Sequence, residues 1–368
     1  MILEKIEKNS LLKPLQLVIG IIERKQSLPI LSNVLIEKDD LQIKLTASDL
    51  EIQVATLCEE KSSISSKYAI TTNARKLLDI LRTLPENNDI ILKSKDNKLQ
   101  VLCGKSKFHL QMLPAQDFPK IQKTINQNQK IQISQQLLKK LLSNVQYAMA
   151  QQDIRYYLNG VLLSLDGNQI RVVATDGHRL AFSSSTEEIS FNRADVIIPR
   201  KTINELTKLL SDTDDVLNIV IDENQITFDF SFTSMTSKVI DGKFPDYQRV
   251  IPSYTEHLLL DRKEILAVLQ RVSILSNEKF HGVRFILTEK NLRIQSNNSE
   301  QEEAEEDMEI NFSGNALDIA FNVNYLLDSL NNIPSQNVVF SFGGPNSSIL
   351  ITIPGQDDYK YVVMPMRI

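Results

Sequence analysis

Residues 137–145 read LLKKLLSNV, a stretch in which apolar side chains recur at helical spacing. Similar amphipathic stretches open near Leu11 and near Ile265, so the starts are spaced roughly 126 to 128 residues apart. Each is followed by short alternating runs that predict strands, by a second amphipathic stretch and by further alternating runs. Each copy closes on an apolar residue followed by proline, at Phe118-Pro119, Phe244-Pro245 and Met364-Pro365. The sequence therefore predicts three copies of one domain.

Each copy is long enough to fold around its own core, since roughly 120 residues suffice for a compact domain. We predict the domains as 1–125, 126–254 and 255–368, with links near Gln122–Gln129 and Ser253–Leu260. Two helices and six or more strands per copy indicate an α+β fold in which helices pack on antiparallel sheets. Tandem copies of one domain are typical of arcs, rings and arrays.

Several local features can be predicted by residue. A helix is expected from Leu11 to Ile22, with Pro14 inside its first turn. A strand should run from Leu28 to Ile36, and the second helix of the first copy should begin at Thr72. In the middle copy, the pair Asp166-Gly167 predicts a hairpin turn.

The composition is that of an ordinary soluble globular protein, with 42% hydrophobic and 24% charged residues. No apolar run approaches the roughly 18 residues of a membrane span, and the start of the chain lacks a signal-peptide pattern. Cys58 and Cys103 form no CxxC motif, which argues against a disulfide framework or a zinc site. We expect a cytoplasmic protein that binds no membrane, metal or cofactor.

The net charge of −5 is unevenly distributed. Residues 300–309 hold seven acids and no base, and removing these charges would change the net charge to +2. Such a run is typical of a solvated loop, or of an acidic patch that meets a basic partner surface. Both interpretations stay open on the sequence alone.

The best catalytic candidate is the motif Thr175-Asp176-Gly177-His178-Arg179. An aspartate and a histidine this close could serve acid–base chemistry, for example in a hydrolase. The alternative is a tight turn between strands whose neighbours serve packing or recognition. The sequence favours the turn, because it contains no P-loop, HExxH or GxSxG motif and no nucleophile or metal-ligand set accompanies this pair.

Basic residues recur on or beside all six predicted helices. They are Lys13, Arg24, Lys25, Arg75, Lys76, Arg82, Lys139, Lys140, Arg200, Lys201, Arg262, Lys263 and Arg271. Singly, each is typical of a solvated helix face. Together, on helices that share one side of an arc, they would form a positive lining that attracts phosphates without reading bases.

Six motifs in order along the full chain resemble the beta sliding clamp of the bacterial replicative DNA polymerase. They are Leu28-Pro29-Ile30-Leu31-Ser32-Asn33, Leu113-Pro114-Ala115-Gln116-Asp117-Phe118-Pro119, Arg155-Tyr156-Tyr157-Leu158-Asn159-Gly160, Ala174-Thr175-Asp176-Gly177-His178-Arg179-Leu180-Ala181, Asp241-Gly242-Lys243-Phe244-Pro245-Asp246-Tyr247 and Tyr361-Val362-Val363-Met364-Pro365-Met366-Arg367-Ile368. The resemblance implies three-domain protomers that dimerise head to tail into a ring around duplex DNA, with helices lining the hole. It also implies a non-catalytic, cofactor-free processivity factor that works at the nucleoid within the polymerase holoenzyme, a nucleotidyltransferase.

The resemblance further implies three sets of site residues. The DNA-binding positions are Arg24, Lys25, Arg75, Arg82, Gln152, Tyr156, Tyr157, Arg200 and Lys201. Lys25 stands where the family commonly has arginine, which keeps the charge but not a bidentate phosphate contact. The dimer interface would involve Lys76, Lys105, Lys107, Phe108, Leu110, Ile274, Leu275, Phe280, Glu300 and Glu303.

The third set is a cleft for short apolar-rich peptides of the polymerase alpha subunit, the clamp loader, and repair and translesion polymerases. Its residues would be Leu158, Thr175, Gly177, His178, Arg179, Leu180, Pro245, Val250, Asn322, Tyr325, Ser348, Val362, Val363, Met364, Pro365 and Met366. The two methionines provide an adaptable apolar surface that suits several partners. Asn346 falls where the family more often has an apolar residue, which makes one edge of the cleft more polar. The alternative function is a protein-interaction scaffold of the same shape that does not encircle DNA.

Overall fold

The computed structural model describes residues 2–23, 28–58, 67–86, 88–122 and 129–367. A related order of elements occurs three times along these ranges: a strand, a helix, two or four strands, a second helix and three strands. The first copy contains β1 (Ile2–Glu7), α1 (Lys8–Val18), β2 (Asn33–Asp39), β3 (Gln42–Ser48), β4 (Ile52–Leu57), β5 (Tyr68–Asn73), α2 (Ala74–Thr83), β6 (Asp89–Lys95), β7 (Lys98–Cys103) and β8 (Ser106–Leu113). The second contains β9 (Gln129–Ser134), α3 (Gln135–Ser143), β10 (Gly160–Thr175), β11 (Arg179–Pro199), α4 (Arg200–Leu209), β12 (Val216–Ile221), β13 (Gln225–Phe230) and β14 (Thr233–Lys238). The third contains β15 (Glu256–Asp261), α5 (Arg262–Val272), β16 (Gly282–Leu287), β17 (Asn291–Asn297), β18 (Glu303–Glu309), β19 (Leu317–Asn322), α6 (Val323–Asn332), β20 (Asn337–Phe342), β21 (Ile349–Ile353) and β22 (Gln356–Val363).

The chain divides into two compact units, which are Met1–Leu138 with Asn204–Val239 and Lys139–Ile203 with Ile240–Ile368. Each unit combines residues of two copies, because strands of neighbouring copies pair directly. In the first unit β4 pairs with β14, and in the second unit β11 pairs with β22. The domain boundaries expected from the sequence stay a prediction.

The first unit is built on one twelve-stranded sheet, in the order β1-β6-β7-β8-β5-β2-β3-β4-β14-β13-β12-β9. Helices α1 and α2 pack against each other. On α1, Leu11, Leu15 and Val18 are fully buried, at the spacing that places them on one helix face. On α2, Leu77 and Leu81 are equally buried. Each helix thus buries one apolar face. The exposed faces carry Lys13, Arg75, Lys76 and Arg82, whereas Lys8 at the start of α1 is buried and donates to the Leu84 carbonyl at 2.6 Å.

The second unit holds a six-stranded sheet, β10-β11-β22-β21-β20-β15, and a four-stranded sheet, β18-β17-β16-β19. Helices α5 and α6 pack against each other in this unit. Ile265, Leu269 and Val272 of α5 are fully buried. The side chains of Asp261 and Asn322 accept backbone hydrogen bonds at the first turns of α5 and α6, so both helices begin at a capping residue.

The first helix begins earlier than the sequence indicates. Helix α1 starts at Lys8, directly after β1, so Pro14 lies in its interior rather than in its first turn. A proline there removes one backbone hydrogen bond, but its ring is buried in the core and recovers apolar contact. The second helix starts at Ala74 rather than Thr72, because Asn73 caps it by accepting a hydrogen bond from the Lys76 backbone at 3.0 Å.

Two strand predictions also need correction. Residues 29–32 form a 3-10 helix rather than a strand, since proline favours the first turn of a helix, and the strand starts at Asn33. The predicted turn at Asp166-Gly167 lies within the continuous span of β10. Gly167 has a positive φ of 57°, and the β10–β11 register shifts on both sides of it. This glycine therefore marks a break between two blocks of pairing.

A buried ion pair joins the first strand to the sheet. The Lys38 ammonium lies 2.5 Å from a Glu4 carboxylate oxygen, and neither side chain is exposed. Removing one partner would leave an uncompensated buried charge, so we expect Lys38→Met to lower the free energy of unfolding by about 3–5 kcal/mol. The double variant Glu4→Gln/Lys38→Met should lose less free energy of unfolding, because it leaves no unpaired charge in the core. Urea unfolding followed by circular dichroism measures both.

The matched control for this prediction is Lys67→Met. The Lys67 ammonium also meets one carboxylate, Asp39, at 2.7 Å, but both side chains are more than three-quarters exposed. Solvent screens such a pair, so the free energy of unfolding of Lys67→Met should equal that of the wild type. Equal losses for the single and double variants at the buried pair would contradict the uncompensated-charge account.

Candidate functional site

A cavity of about 270 Å³ opens within the second unit, and most of the predicted cleft residues surround it. Its lining residues are Arg155, Tyr157, Leu158, Thr175, Gly177, His178, Arg179, Leu180, Pro245, Tyr247, Val250, Val362 and Met364. Ten of these thirteen were predicted from the sequence. Their chemistry, an apolar floor beneath a few convergent polar groups, is that of a binding cleft.

The floor of the cavity is continuous with the core. Leu158, Leu180 and Val362 are almost fully buried. The rim is different, because Val250 is 43% exposed and Met364 is 46% exposed. A partner side chain can therefore displace water from these apolar rim residues when it enters the cleft.

One wall of the cavity is the turn between β10 and β11. The Asp176 carboxylate accepts hydrogen bonds from the backbone nitrogens of His178 and Arg179, at 2.9 and 3.0 Å. The Thr175 hydroxyl donates to the Arg179 carbonyl at 2.6 Å. Gly177 has a φ of 89°, a conformation that favours glycine. The carboxylate of Asp176 is thus engaged in holding the turn, as the turn interpretation of this motif predicted.

The Arg179 guanidinium connects this turn to helix α6. It donates to the second Asp176 oxygen at 3.1 Å, to Asp328 on α6 at 2.5 Å and to the Tyr147 carbonyl at 2.6 Å. The central guanidinium carbon, Cζ, also lies 4.6 Å from the centre of the Tyr325 ring, which is a cation–π contact. Arg179 therefore fixes the position of the cleft wall.

The partners of Arg179 keep it charged. Burial disfavours the guanidinium charge, but Tyr361, Asp328 and Asp176 outweigh burial and raise its pKa. Burial also raises the pKa of the neighbouring Tyr147, whose hydroxyl lies 2.8 Å from that of Tyr359. These tyrosines stay neutral at physiological pH.

Arg155 is a cleft residue that the sequence analysis missed as a site residue. Its guanidinium donates to both Asp153 carboxylate oxygens, at 3.0 and 2.9 Å, and to the Asp176 carbonyl at 3.2 Å. These hydrogen bonds lower the pKa of Asp153 to about 2. A side chain at Gly177 would approach the Arg155 guanidinium to 3.0 Å. Arg155 belongs to a motif that carried the family resemblance, and this membership was the available signal.

Six of the predicted cleft residues do not line the cavity. They are Asn322, Tyr325, Ser348, Val363, Pro365 and Met366. Tyr325 lies behind the residues that line the cavity, where its ring contacts the Arg179 guanidinium. Val363 is buried in β22, and the Ser348 carbonyl accepts a hydrogen bond from Tyr254 at 2.8 Å. Strand alternation accounts for Val363, because its neighbour Val362 lines the cavity and alternate residues of a strand face opposite sides of the sheet.

Asn322 and the last residues of the chain take structural positions. The Asn322 side chain caps α6 and donates to the Phe280 carbonyl at 3.3 Å. The backbone nitrogen of Met366 donates to the Ala320 carbonyl at 2.7 Å. Pro365 is half-buried beside it, and Asn346, the departure from the family pattern, is exposed.

The predicted DNA-binding residues of the first unit are partly described. Arg24 and Lys25 lie outside the described residues. The Arg75 guanidinium donates to the Ile22 carbonyl at 2.5 Å, and this hydrogen bond connects α2 to the residues that precede Arg24. Arg82 is exposed in the last turn of α2.

In the second unit, three predicted DNA-binding residues belong to one loop. Gln152 is exposed and adopts a positive φ of 54°, which is uncommon for glutamine. Tyr156 is 58% exposed, whereas Tyr157 is half-buried and also lines the cleft. The loop therefore carries residues of both predicted sites.

Arg200 binds the backbone just before this loop. One of its guanidinium nitrogens donates to the carbonyls of Met149 and Ala150, at 2.9 and 3.3 Å. Burial and then the nearby Arg179 lower its pKa. Lys201, which follows it, is half-buried.

Most of the predicted dimer residues occur on or beside two stretches of strand that have a neighbour on one side only. In β8, residues 106–111 pair only with β7. In the second unit, β18 pairs only with β17. Ile274 and Phe280 are 76% and 56% exposed, which is unusual for large apolar side chains. The other residues divide as follows: Lys76, Lys105, Lys107, Glu300 and Glu303 are exposed, Phe108 and Leu275 are half-buried, and Leu110 is buried within the chain.

The acidic run forms a strand and not the solvated loop that the sequence allowed. Glu303–Glu309 is β18, an edge strand. Its central acids are neutralised within the unit, because Arg271 binds Glu306 at 2.5 Å and Arg293 binds Asp307 at 3.0 Å. The internal pairs leave the exposed carboxylate of Glu303 for an external partner.

None of the helices in the ranges that the structure describes is both long and apolar enough to cross a membrane. Among the same residues, no group of three or more histidine, cysteine or acidic side chains is placed to hold a metal ion.

Comparison with known proteins gives full-length matches. Residues 4–122, 132–246 and 248–367 match the N-terminal, central and C-terminal domains of the DNA polymerase III beta subunit. The chain is 45% identical over 369 residues to the beta sliding clamp of Pseudomonas aeruginosa, and 40% identical over 367 residues to that of Escherichia coli. Both alignments cover 99% of each chain.

Solved structures give the same result. A Pseudomonas aeruginosa DNA polymerase sliding clamp with a ligand superposes with a TM-score of 0.96 at 43% identity, covering 100% of both chains. A sliding clamp of the same organism bound to griselimycin has a TM-score of 0.95 at 44% identity, covering 99% of both. These matches confirm the predicted α+β fold of three tandem clamp domains. With its sequence, domains and fold all in agreement, the chain belongs to the beta sliding clamp family, the beta subunit of DNA polymerase III.

Proposed function

We propose that this DNA sliding clamp works as a closed ring of two copies that surrounds duplex DNA and tethers replication and repair proteins through its cleft. The cleft carries the proposal. It has an apolar floor, an exposed methionine rim and a wall held rigid by Arg179. Tethering raises the local concentration of a polymerase at the primer end and needs no catalytic group.

The partners of the cleft are short apolar-rich peptides of the polymerase alpha subunit, the clamp loader, and repair and translesion polymerases. A flexible thioether such as Met364 adapts to different apolar side chains, so one cleft can bind several of these partners. The binding of griselimycin by a close structural relative supports a ligand-binding surface on this fold.

Ring closure would join residues 106–111 of β8 to the edge strand β18. Unpaired backbone groups on β8 of one copy and β18 of the other can extend one sheet across the interface. Lys105 and Lys107 lie in or beside β8, and Glu303 begins β18, so the charges are complementary. The exposed side chains of Ile274 and Phe280 would supply the apolar contact that a stable dimer needs. Each of the three predicted domains, 1–125, 126–254 and 255–368, would then occur twice, so that six domains surround the DNA.

DNA binding would use phosphate contacts alone. Arg24, Lys25, Arg75 and Arg82 would act from the first domain, and the loop with Gln152 and Tyr156 from the second. Phosphate contacts carry no sequence information, so the ring can slide while it is retained. We expect this work to take place at the bacterial nucleoid.

The test of the cleft is the variant His178→Ala. His178 lines the cavity, is exposed, and contributes only its backbone to the turn. We expect a roughly 5-fold loss of affinity for a fluorescent peptide from the polymerase alpha subunit, measured by anisotropy. The dimer should be unchanged in sedimentation.

Two results would contradict this assignment. Unchanged peptide affinity would mean that the cavity is not the peptide site. Loss of a hydrolytic activity in His178→Ala, with peptide affinity intact, would favour the acid–base interpretation of Asp176 and His178.

A further inference from the structure

A second groove, of about 480 Å³, lies in the same unit as the cleft. Its floor is the paired region of β10 and β11, where Leu162 faces Ile197 and Ser164 faces Asp195. Its wall is the segment 242–248, which crosses the sheet. The groove is therefore built on the same two strands that present the cleft turn.

The groove and the cleft share a wall. Pro245 and Tyr247 line both cavities. Phe244 and Tyr247 are buried in the same core cluster as Val362 of the cleft floor, so the segment between them is anchored from below. Pro245 is exposed between the cavities. A peptide chain that leaves the cleft across Pro245 enters the second groove directly.

Free positive charge distinguishes the second groove. Arg171, Arg193 and Lys243 line it, and within the described residues none of the three makes an ion pair or a side-chain hydrogen bond. Elsewhere in this unit most arginines are engaged, as Arg179 and Arg293 are.

The carboxylates of the groove do not cancel this charge. Asp246 is already paired with Arg249 at 2.8 Å. Asp166 and Asp195 remain, so three free cations face two free carboxylates. The groove is therefore polar, offers three cationic side chains without a partner among the described residues, and shares Pro245 and Tyr247 with the cleft.

We propose that this second groove binds acidic residues flanking the cleft-bound motif of a partner protein. This inference rests on the proposed function of the cleft and adds a second contact between clamp and partner outside the cleft. Carboxylates of the flank would pair with Arg171 and Lys243 while the motif stays anchored in the apolar cavity. Because these cations are accessible to solvent, the added affinity is modest and falls with salt.

The experiment compares three synthetic peptides. All carry the same apolar motif from the polymerase alpha subunit. The first is the bare motif, the second has neutral Ser-Gly flanks and the third has Asp-Ser flanks. About six residues on each side span roughly 20 Å when extended, which is enough to reach the groove from either end.

At low salt we expect the Asp-Ser flanks to tighten binding by about 3- to 10-fold over the Ser-Gly flanks. This gain should fall below roughly 2-fold in Arg171→Ala/Lys243→Ala, while the bare motif binds that variant as it binds the wild type. The matched control is Lys263→Ala/Lys290→Ala, which removes two exposed cations outside the groove and should keep the full gain.

Each outcome decides the proposal. Equal affinity for acidic and neutral flanks overturns it, and so does a gain that survives in Arg171→Ala/Lys243→Ala. A gain lost equally in the control variant would show a general effect of net charge and would also overturn it. Failure of the bare motif to bind would instead count against the proposed function of the cleft.

Discussion

Replacing Arg179 by alanine is expected to weaken peptide binding by roughly 100-fold, which corresponds to about 3 kcal/mol. The guanidinium holds Asp176 in the cleft turn, Asp328 on α6 and the Tyr147 carbonyl. Its removal leaves the partly buried carboxylate of Asp176 without its cationic partner and frees the turn from the helix. Fluorescence anisotropy with the alpha-subunit peptide measures the loss.

The matched control is Arg293→Ala. Arg293 also binds two carboxylates, Glu305 at 3.2 Å and Asp307 at 3.0 Å, but it lies on the exposed face of the four-stranded sheet. We expect that variant to bind peptide as the wild type does. A small loss in Arg179→Ala, with the folded state intact by circular dichroism, would contradict the role of Arg179 in fixing the cleft wall.

The variant Ile274→Asp is expected to convert the dimer into monomers. Ile274 is 76% exposed in the single chain, and the proposed interface would bury it. Burying an unpaired carboxylate there would raise the dimer dissociation constant by at least roughly 100-fold. Sedimentation velocity over a range of protein concentrations measures this shift.

Leu259→Asp controls for the introduction of a charge at an exposed apolar position. Leu259 is 60% exposed on β15, in the same unit and outside the proposed interface. The Leu259→Asp variant should remain a dimer with an unchanged dissociation constant. If Ile274→Asp also remains a dimer, the interface lies elsewhere and the head-to-tail closure through β8 and β18 fails.

The repeated architecture could be predicted from the sequence because it depends on local periodicity. Leu11, Leu15 and Val18 mark one helix face whatever surrounds them, and the structure confirms a helix there. Strands were also predictable where apolar and polar residues alternate along the sequence, as in β7, whose burial alternates in the same way. Such patterns need no knowledge of partners in the fold.

Features that depend on remote partners could not be predicted. The strand at residues 2–7 was not predicted, because it depends on two distant segments: its backbone pairs with β6, and Glu4 forms a buried ion pair with Lys38. The acidic stretch Glu303–Glu309 becomes a strand because Arg271 and Arg293 offset its charge. Neither partnership can be predicted from spacing along the chain.

The candidate site follows the same division. The turn at Asp176 was predictable, because an aspartate followed by glycine favours a turn whatever its surroundings. Tyr247 was missed, although Pro245 and Val250 of the same segment were predicted and line the cavity with it. Val363 was predicted for the cleft but does not line this cavity, because it alternates along β22 with Val362, which does.

Retention on DNA tests the central claim most directly. The protein would be loaded onto a nicked circular plasmid by a bacterial clamp loader with ATP, then separated from free protein by gel filtration before and after the circle is cut. We expect retention on the circle and loss after linearisation, because a closed ring slides off a free end. Ile274→Asp should not be retained on either form.

Other patterns would contradict the account. Equal retention on circular and linear DNA would indicate ordinary DNA binding rather than encirclement. Retention on neither form, with a demonstrated dimer and a working loader control, would show that this clamp does not encircle DNA and acts as an interaction scaffold instead.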